Sequence, residues 1–350
     1  MTIDLIITTY KPDTNFLEMV ETMTTQSVPV NKVIIYNREE KYFDRLLFTT
    51  KFLDDHKNLE VHHLSSREFD CGKSRNAAVR LSEADFVVFM DQGVMPVGKE
   101  ILADLHRAFV NDSKVAVSYA RLIPADSRGA GEKYVFKHFW PEEASVRSAS
   151  DFDTMGWKTC LSTNNCAMYK REIFDKLGGF LNHVICNEDM LYAAKALKEG
   201  YKVAYVPSAT VILTDPPEEV DEAQVFFDKA VSFAKHPEIF DIDEIRAEGR
   251  RLYKEACAQA KKSGSREARR FKASMKRRLK GFKKGRNYKR IGRNSVSKYS
   301  ANKVYWRADD LLRARSAVDS RQGYGRSSEE MDMLHNNPVK AHRWEDDTEK

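Results

Sequence analysis

Short apolar runs rich in Ile and Val alternate with amphipathic stretches through roughly the first third of the chain. Runs of this kind, bounded by turn-forming residues, predict strands at Asp4 to Thr8, Lys32 to Tyr36, Leu59 to Leu64, Phe86 to Met90 and Lys114 to Tyr119. Between them the apolar spacing predicts helices at Asn15 to Thr25, Tyr42 to Phe52, Gly72 to Leu81 and Gly98 to Val110. Single strands alternating with single helices are the pattern of βαβ units. The fold class read here is therefore α/β, Rossmann-like, with a mostly parallel sheet flanked by helices.

From Ile123 to Leu161 the periodicity weakens into a polar stretch with Pro, Gly and aromatics, including "KHFWPEE". A segment of that length inside a domain predicts a substrate-side lid or insertion. Regularity returns in "NCAMYKREIFDKLGGF", a strand entering a helix stopped by glycines. It continues in "NEDMLYAAKALKEGYKVAYVPSATVIL", a helix ended at Gly200 and followed by strand. Residues 221 to 293 read mainly as helices, and after Trp306 the chain is polar and mixed in charge. The expected organisation is an α/β domain over 1–240, a basic helical C-terminal extension over 241–305 and a polar, disordered tail over 306–350.

Composition narrows the class. The 350 residues are 42% apolar and 31% charged, ordinary values for a soluble protein. No stretch approaches the ~20 apolar residues of a membrane span. The amino terminus, MTIDLIITTY, lacks the basic start and apolar core of a signal peptide, so the expected location is cytoplasmic. Five scattered cysteines without a C-x-x-C pair argue against a zinc knuckle or a disulfide framework. The net charge of +6 is uneven: residues 261 to 293 carry a net +15, which leaves −9 for the remainder. That segment interleaves Phe271, Leu279, Phe282, Tyr288 and Ile291 with cations, which suits an anionic membrane surface on the inner face of the cell membrane. A solvated helix packed on the body explains it equally well. A basic stripe is also the footprint of nucleic-acid binding, but no RNA or DNA module accompanies it, which argues against that partner.

Candidate chemistry gathers where strands end. "FVVFMDQGVMP" is a buried strand running into Asp91, and the carboxyl edge of an α/β sheet is where such sheets bind ligands. "TTYKP", "YNRE" and "FDCGKSRNAA" follow strands one to three, so all four loops belong to one edge. Arg75 with Lys73 in the first turn of a helix is a plausible diphosphate grip, although an isolated arginine there reads as readily as a surface ion pair. Asn187-Glu188-Asp189 opens a later helix, where acids also complement the helix dipole.

Taken in order, "TTYKPDTNFLEMVETMTTQSVPVNKVIIYNREEKYF", "FDCGKSRNAA", "DQGVMP", "NCAMYKREIFDKLGGF", "EDMLYAAKALKEGYKVAYVPSATV" and "FFDKAVSFAKHPEIF" resemble bacterial glycosyltransferase family 2, rhamnosyltransferase-like branch, over about residues 1 to 305. The resemblance implies a GT-A fold, a nucleotide-diphosphate-sugar donor (a dTDP- or UDP-sugar), a glycan or lipid-linked acceptor, and inversion at the anomeric carbon. It implies Asp91 as ligand of Mg²⁺ or Mn²⁺ on the donor diphosphate, Asp189 as general base and Glu188 as its orienting partner or as a contact to the acceptor. Thr8, Thr9, Tyr10 and Asn37 would line the nucleobase and ribose pocket, with Asp70, Arg75 and Asn76 nearby.

The departures bear on the metal. Where the branch carries T-[DQ]-D-A, this chain has Asp91-Gln92-Gly93-Val94, with no carboxylate at the third position. F-D-H-G has become Phe69-Asp70-Cys71-Gly72, and H-S-H has become Leu213-Thr214-Asp215, which offers Asp215 as a replacement ligand. Two readings follow: an altered, oxygen-only cation site at Asp91 and Asp215 that supports transfer, or a catalytically impaired sugar-nucleotide-binding or scaffold protein of a polysaccharide assembly complex.

Overall fold

The structure, a computed structural model, describes residues 1–47, 52–214 and 221–321. Its strands are β1 (Ile3–Tyr10), β2 (Lys32–Arg38), β3 (Leu59–Leu64), β4 (Phe86–Asp91), β5 (Val94–Val97), β6 (Val115–Pro124), β7 (Ser145–Arg147), β8 (Cys166–Lys170) and β9 (Lys202–Leu213). The helices in the first half are α1 (Thr14–Thr24), α2 (Glu40–Leu47), α3 (Phe52–Asp55), α4 (Cys71–Val79), α5 (Ile101–Asn111), α6 (Ala130–Phe139) and α7 (Phe152–Met155). Those that follow are α8 (Arg171–Lys176), α9 (Glu188–Lys198), α10 (Glu222–Lys235), α11 (Ile242–Lys262), α12 (Ser265–Gly285), α13 (Arg293–Val296) and α14 (Lys303–Arg321).

All strands join one sheet in the order β3-β2-β1-β4-β8-β6-β9-β5, with β7 paired to β9. The first four run parallel, β8 is inserted antiparallel between β4 and β6, and β6 runs parallel to β9. The period-2 alternation explains the two cores. Ile6, Ile34, Val87 and Phe89 face one side with Tyr169, Phe174, Phe180 and Tyr192. Leu5, Ile7, Val33, Ile35, Val88 and Met90 face the other, against α1 and α5. Full burial of each such side chain contributes about 1.5–3 kcal/mol, so a strand covered on both faces is held strongly in register. In α1, Phe16, Met19, Val20 and Met23 repeat at helical spacing and are buried, and Asp13 caps the start by accepting from Phe16 N at 3.2 Å.

The segment from Ile123 to Leu161, expected as a substrate-side lid or insertion, is a packed layer. Its helix α6 brings Gly131 so close to Phe271 of α12 that a Cβ there would sit 2.8 Å from the ring. His138 Nε2 and Lys158 Nζ each lie 2.8 Å from Glu248 Oε1 on α11. Local polarity hid this layer because its partners lie 90 or more residues away.

The basic stretch centres on α12, whose Phe271 and Phe282 turn inward while Leu279 stays exposed. Phe271 is 5% exposed among Ala256, Cys257 and Ala260, while Phe282 packs toward Phe233. Gly281 and Gly285 let α12 touch the α10 backbone, since a Cβ at Gly281 would collide with the Ala223 carbonyl oxygen. Beyond it, α14 continues past Trp306 into the region read from sequence as tail, and Tyr305 and Trp306 are buried against Ile185, Phe227 and Val231. No helix among the described residues is long and apolar enough to cross a membrane.

Candidate functional site

Parallel pairing levels the strand ends. Thr8 of β1 lies opposite Tyr36 of β2 and Asp91 of β4, while Thr9 lies opposite Asn37, which in turn faces His63 of β3. The loops expected to share one edge are thereby brought together.

Asp91 Oδ1 accepts from Thr8 Oγ1 at 3.1 Å and from Arg75 Nη2 at 2.6 Å. Burial raises its carboxyl above the ordinary range against the pull of Arg75, and Glu188 adds to the rise. Arg75 is only 5% exposed, and its Nη1 lies 2.8 Å from Glu188 Oε1. Its guanidinium thus bridges two carboxylates from different loops rather than standing open as the expected diphosphate grip. The reason is its place on α4, whose inward face carries position 75 while Lys73 remains exposed.

The acid pair opens α9. Asn187, with a left-handed φ of 64°, turns the chain into the helix, and Glu188 is buried beneath it. Asp189 accepts backbone N–H bonds from Asn164 at 3.0 Å and Met190 at 2.8 Å. Burial, followed by the charge of Glu188, outweighs those bonds and pushes its carboxyl up to about 7. Asn164, 2% exposed, also donates from Nδ2 to Glu188 Oε1 at 3.1 Å and accepts the Tyr169 hydroxyl at 2.8 Å. A continuous chain therefore runs Thr8–Asp91–Arg75–Glu188–Asn164–Asp189.

The remaining expected residues divide. Tyr10 is 38% exposed, with the Arg38 guanidinium 4.6 Å from its ring centre and Tyr42 edge-on at 5.6 Å. Asn37 is fully buried, bonds through Nδ2 to His63 Nδ1 at 2.9 Å, and leaves Oδ1 without a partner among the described residues. Thr9 bonds to the Gln92 side chain. Asp70 caps α4, accepting from Lys73 N at 2.7 Å, and burial raises its carboxyl. Asn76 does not join the pocket: its amide is spent on Phe180 N and O and on Asn182 Oδ1.

Sequence reading missed Gln92, whose side chain pairs with both Tyr10 N and Tyr10 O at 2.8 Å and locks β1 to the loop after β4. It also missed Asn164. The only local signal was "TNNC" ahead of a strand, too common a pattern to single out.

Of the expected metal ligands, Asp215 lies outside the described residues. Asp91 Oδ2 has no partner among the described residues and its side chain is 37% exposed, so one carboxylate oxygen is available. That fits a hard cation that takes one carboxylate and draws its other ligands from a diphosphate. Among the described residues, the single trio with ligand spacing is the exposed Glu40, Asp44 and His63, away from Asp91 on α2 and β3.

No family model matches the chain. The O-antigen chain rhamnosyltransferase RfbN of Salmonella typhimurium is 28% identical over 308 residues, covering 87% of this chain and 96% of that protein. The O-antigen chain rhamnosyltransferase WbaN of Salmonella anatum is 29% identical over 269 residues, covering 75% and 85%. Among solved structures, the mannosyltransferase PcManGT of Pyrobaculum calidifontis, in complex with GDP-Man and Mn²⁺, is similar with a TM-score of 0.54 at 16% identity, covering 83% of this chain and 88% of that one. That structure speaks for the fold, and the two relatives, matched along most of their length, speak for the chemistry. Together they make this chain a glycosyltransferase of the GT-A fold that is similar to the O-antigen chain rhamnosyltransferases.

Proposed function

We propose that the chain is an inverting transferase that moves a deoxyhexose, rhamnose from a dTDP donor, onto a cell-surface glycan or its lipid-linked precursor. The observation that carries the reading is Asp189, a carboxyl pushed up to about 7 beside the crevice at the strand ends. A general base works best with a pKa near the operating pH. In the proposed step Asp189 takes the proton of an acceptor hydroxyl as that oxygen forms the new bond to the anomeric carbon. The old bond breaks, and the nucleotide diphosphate leaves with its electron pair. Glu188, fixed by Arg75 and Asn164, holds the acid pair in place. Thr8, Thr9, Tyr10 and Asn37 are proposed to form the nucleoside pocket, with the buried Asn37 supporting it from beneath. Asp91 would hold Mg²⁺ or Mn²⁺, with Asp215 as second candidate; such an ion, when bound, neutralises charge on the leaving diphosphate. The reading as a catalytically impaired binder is not favoured by relatives named as transferases over most of their length.

The test is transfer itself. Purified protein with dTDP-rhamnose, alternative UDP-sugars, a rhamnose-accepting glycan and Mg²⁺ or Mn²⁺ is expected to release nucleotide diphosphate and extend the acceptor. Asp189→Asn should lose transfer while keeping donor affinity. Normal turnover by that variant refutes the base assignment, and nucleotide binding without transfer across the panel favours the impaired binder.

An anionic membrane surface is the proposed site of work. Arg266, Arg269, Lys272, Lys276, Lys280 and Lys283 are exposed on α12 and form no ion pair among the described residues, whereas Arg277 and Arg278 on its flank pair with Glu222. Each cation near such a surface adds about 1 kcal/mol. Phe271 and Phe282 face inward, so aromatic stacking on nucleotides is not available to them, and the proposed attraction is mainly electrostatic, with the exposed Leu279 beside the cations. Flotation with vesicles containing anionic lipid should fall with rising salt and on reversal of three of these charges. Equal recovery of both forms refutes the docking.

A further inference from the structure

Residues 181–187 lead from the glycines after α8 into α9 and so deliver Glu188 and Asp189. Two of them hold left-handed backbone, His183 at φ 55° and Asn187 at φ 64°. Non-glycine residues adopt that region seldom, and a loop keeps such a shape only where its surroundings over-determine it.

The surroundings here are specific. From α4, Asn76 Nδ2 reaches Asn182 Oδ1 at 3.1 Å. From α10, Ser232 Oγ donates to Cys186 O at 3.0 Å. Ahead of α14, Asn302 Nδ2 donates to Ile185 O at 3.1 Å. From α14 itself, the Tyr305 ring stacks on the His183 ring at 4.6 Å and 14°, and Asp309 Oδ1 lies 3.3 Å from His183 Nε2. Asp309 is anchored in turn by Arg313 Nε at 2.8 Å and Lys235 Nζ at 3.6 Å, and Lys235 also bonds the Tyr305 hydroxyl. Three of these four grips come from residues beyond 221, far along the chain from the acids they steady.

We propose that α14 is a positioning element of the transfer site: by gripping His183 through Tyr305 and Asp309 it fixes where α9 begins, and with it where Asp189 stands relative to Arg75 and Asp91. This rests on the reading of Asp189 as the base. Tyr305, Asp309 and His183 touch none of the proposed reacting groups and act only through the loop, and a misplacement of about 1 Å costs a reaction on the order of 100-fold in rate.

The test pairs His183→Asn, which tolerates the left-handed backbone but cannot stack, with Tyr305→Ala and the conservative Tyr305→Phe. His183→Asn leaves the buried cluster around Trp306 intact, so it covers the case in which Tyr305→Ala fails to fold. Hydrogen exchange in the full chain should speed up about tenfold at the amides of residues 182–190 in His183→Asn and Tyr305→Ala, with β1 and β4 unchanged. In the same variants kcat should fall about tenfold or more while dTDP-rhamnose affinity by calorimetry stays within about twofold, and Tyr305→Phe should restore both. Unchanged exchange in the loop, or a loosened loop with full kcat, overturns the proposal. If the wild type transfers no sugar, the functional reading has failed, and the exchange profile alone decides whether α14 holds the loop.

Discussion

Replacing Arg75 with Met removes the cation that joins the two acidic loops and keeps much of the side-chain volume. Arg75 lies 2.6 Å from Asp91 and 2.8 Å from Glu188. Asp91 has a side chain 37% exposed and can draw on water, so most of the loss falls on Glu188, whose side chain is 7% exposed. Removing one partner of a buried pair costs about 3–5 kcal/mol, a large share of the ~5–15 kcal/mol that keeps an ordinary domain folded. The sign with pH follows from linkage. Asp91 is already raised with Arg75 present, and without it the Asp91 carboxyl moves further up in the folded state. A carboxyl raised on folding destabilises fully above its folded value, and the penalty fades as pH falls toward the unfolded value of about 4. Urea unfolding of Arg75→Met should therefore show the full deficit at pH 8 and a smaller one at pH 5. The double variant Arg75→Met/Glu188→Gln should recover much of it, because the buried Glu188 charge is removed together with its partner and only the partly exposed Asp91 is left without the guanidinium. A loss under about 1 kcal/mol at pH 8, or an equal loss at both pH values, refutes the view of Arg75 as the buried bridge.

Two further outcomes are expected. Since Asp189 must be unprotonated to accept a proton and its carboxyl is pushed up to about 7, kcat/KM should decline as pH falls through that value; a flat profile from pH 8 to 5.5 counts against the base. Gly281→Ala should force α12 off α10, where a Cβ meets the Ala223 carbonyl, and lower stability by about 1–3 kcal/mol in urea titration; a neutral result would mean that the contact yields easily.

Much of the first half was legible locally. Burial on both faces demands uninterrupted Ile, Val, Leu and Phe, so β1, β2 and β4 declare themselves in "LIIT", "VIIY" and "FVVFM", and parallel order then obliges Thr8, Asn37 and Asp91 to share an edge. The strands were read short where pairing alone extends them: β6 runs on to Pro124 because β9 lies alongside it. The antiparallel insertion of β8 is likewise a matter of partners, since "CAMYK" reads the same in either direction.

What residues along the chain determined was periodicity, the placing of acids and glycines at element ends, and the charge of α12; these depend on contacts within a few positions and leave a local trace. Tertiary structure alone decided that Arg75 is saturated by Asp91 and Glu188, that Asn164 serves both acids, that the aromatics of α12 face inward, and that α14 reaches back to His183. Those outcomes join residues 16 to more than 100 positions apart, and which polar group pairs with which is settled by where the packed core leaves each one.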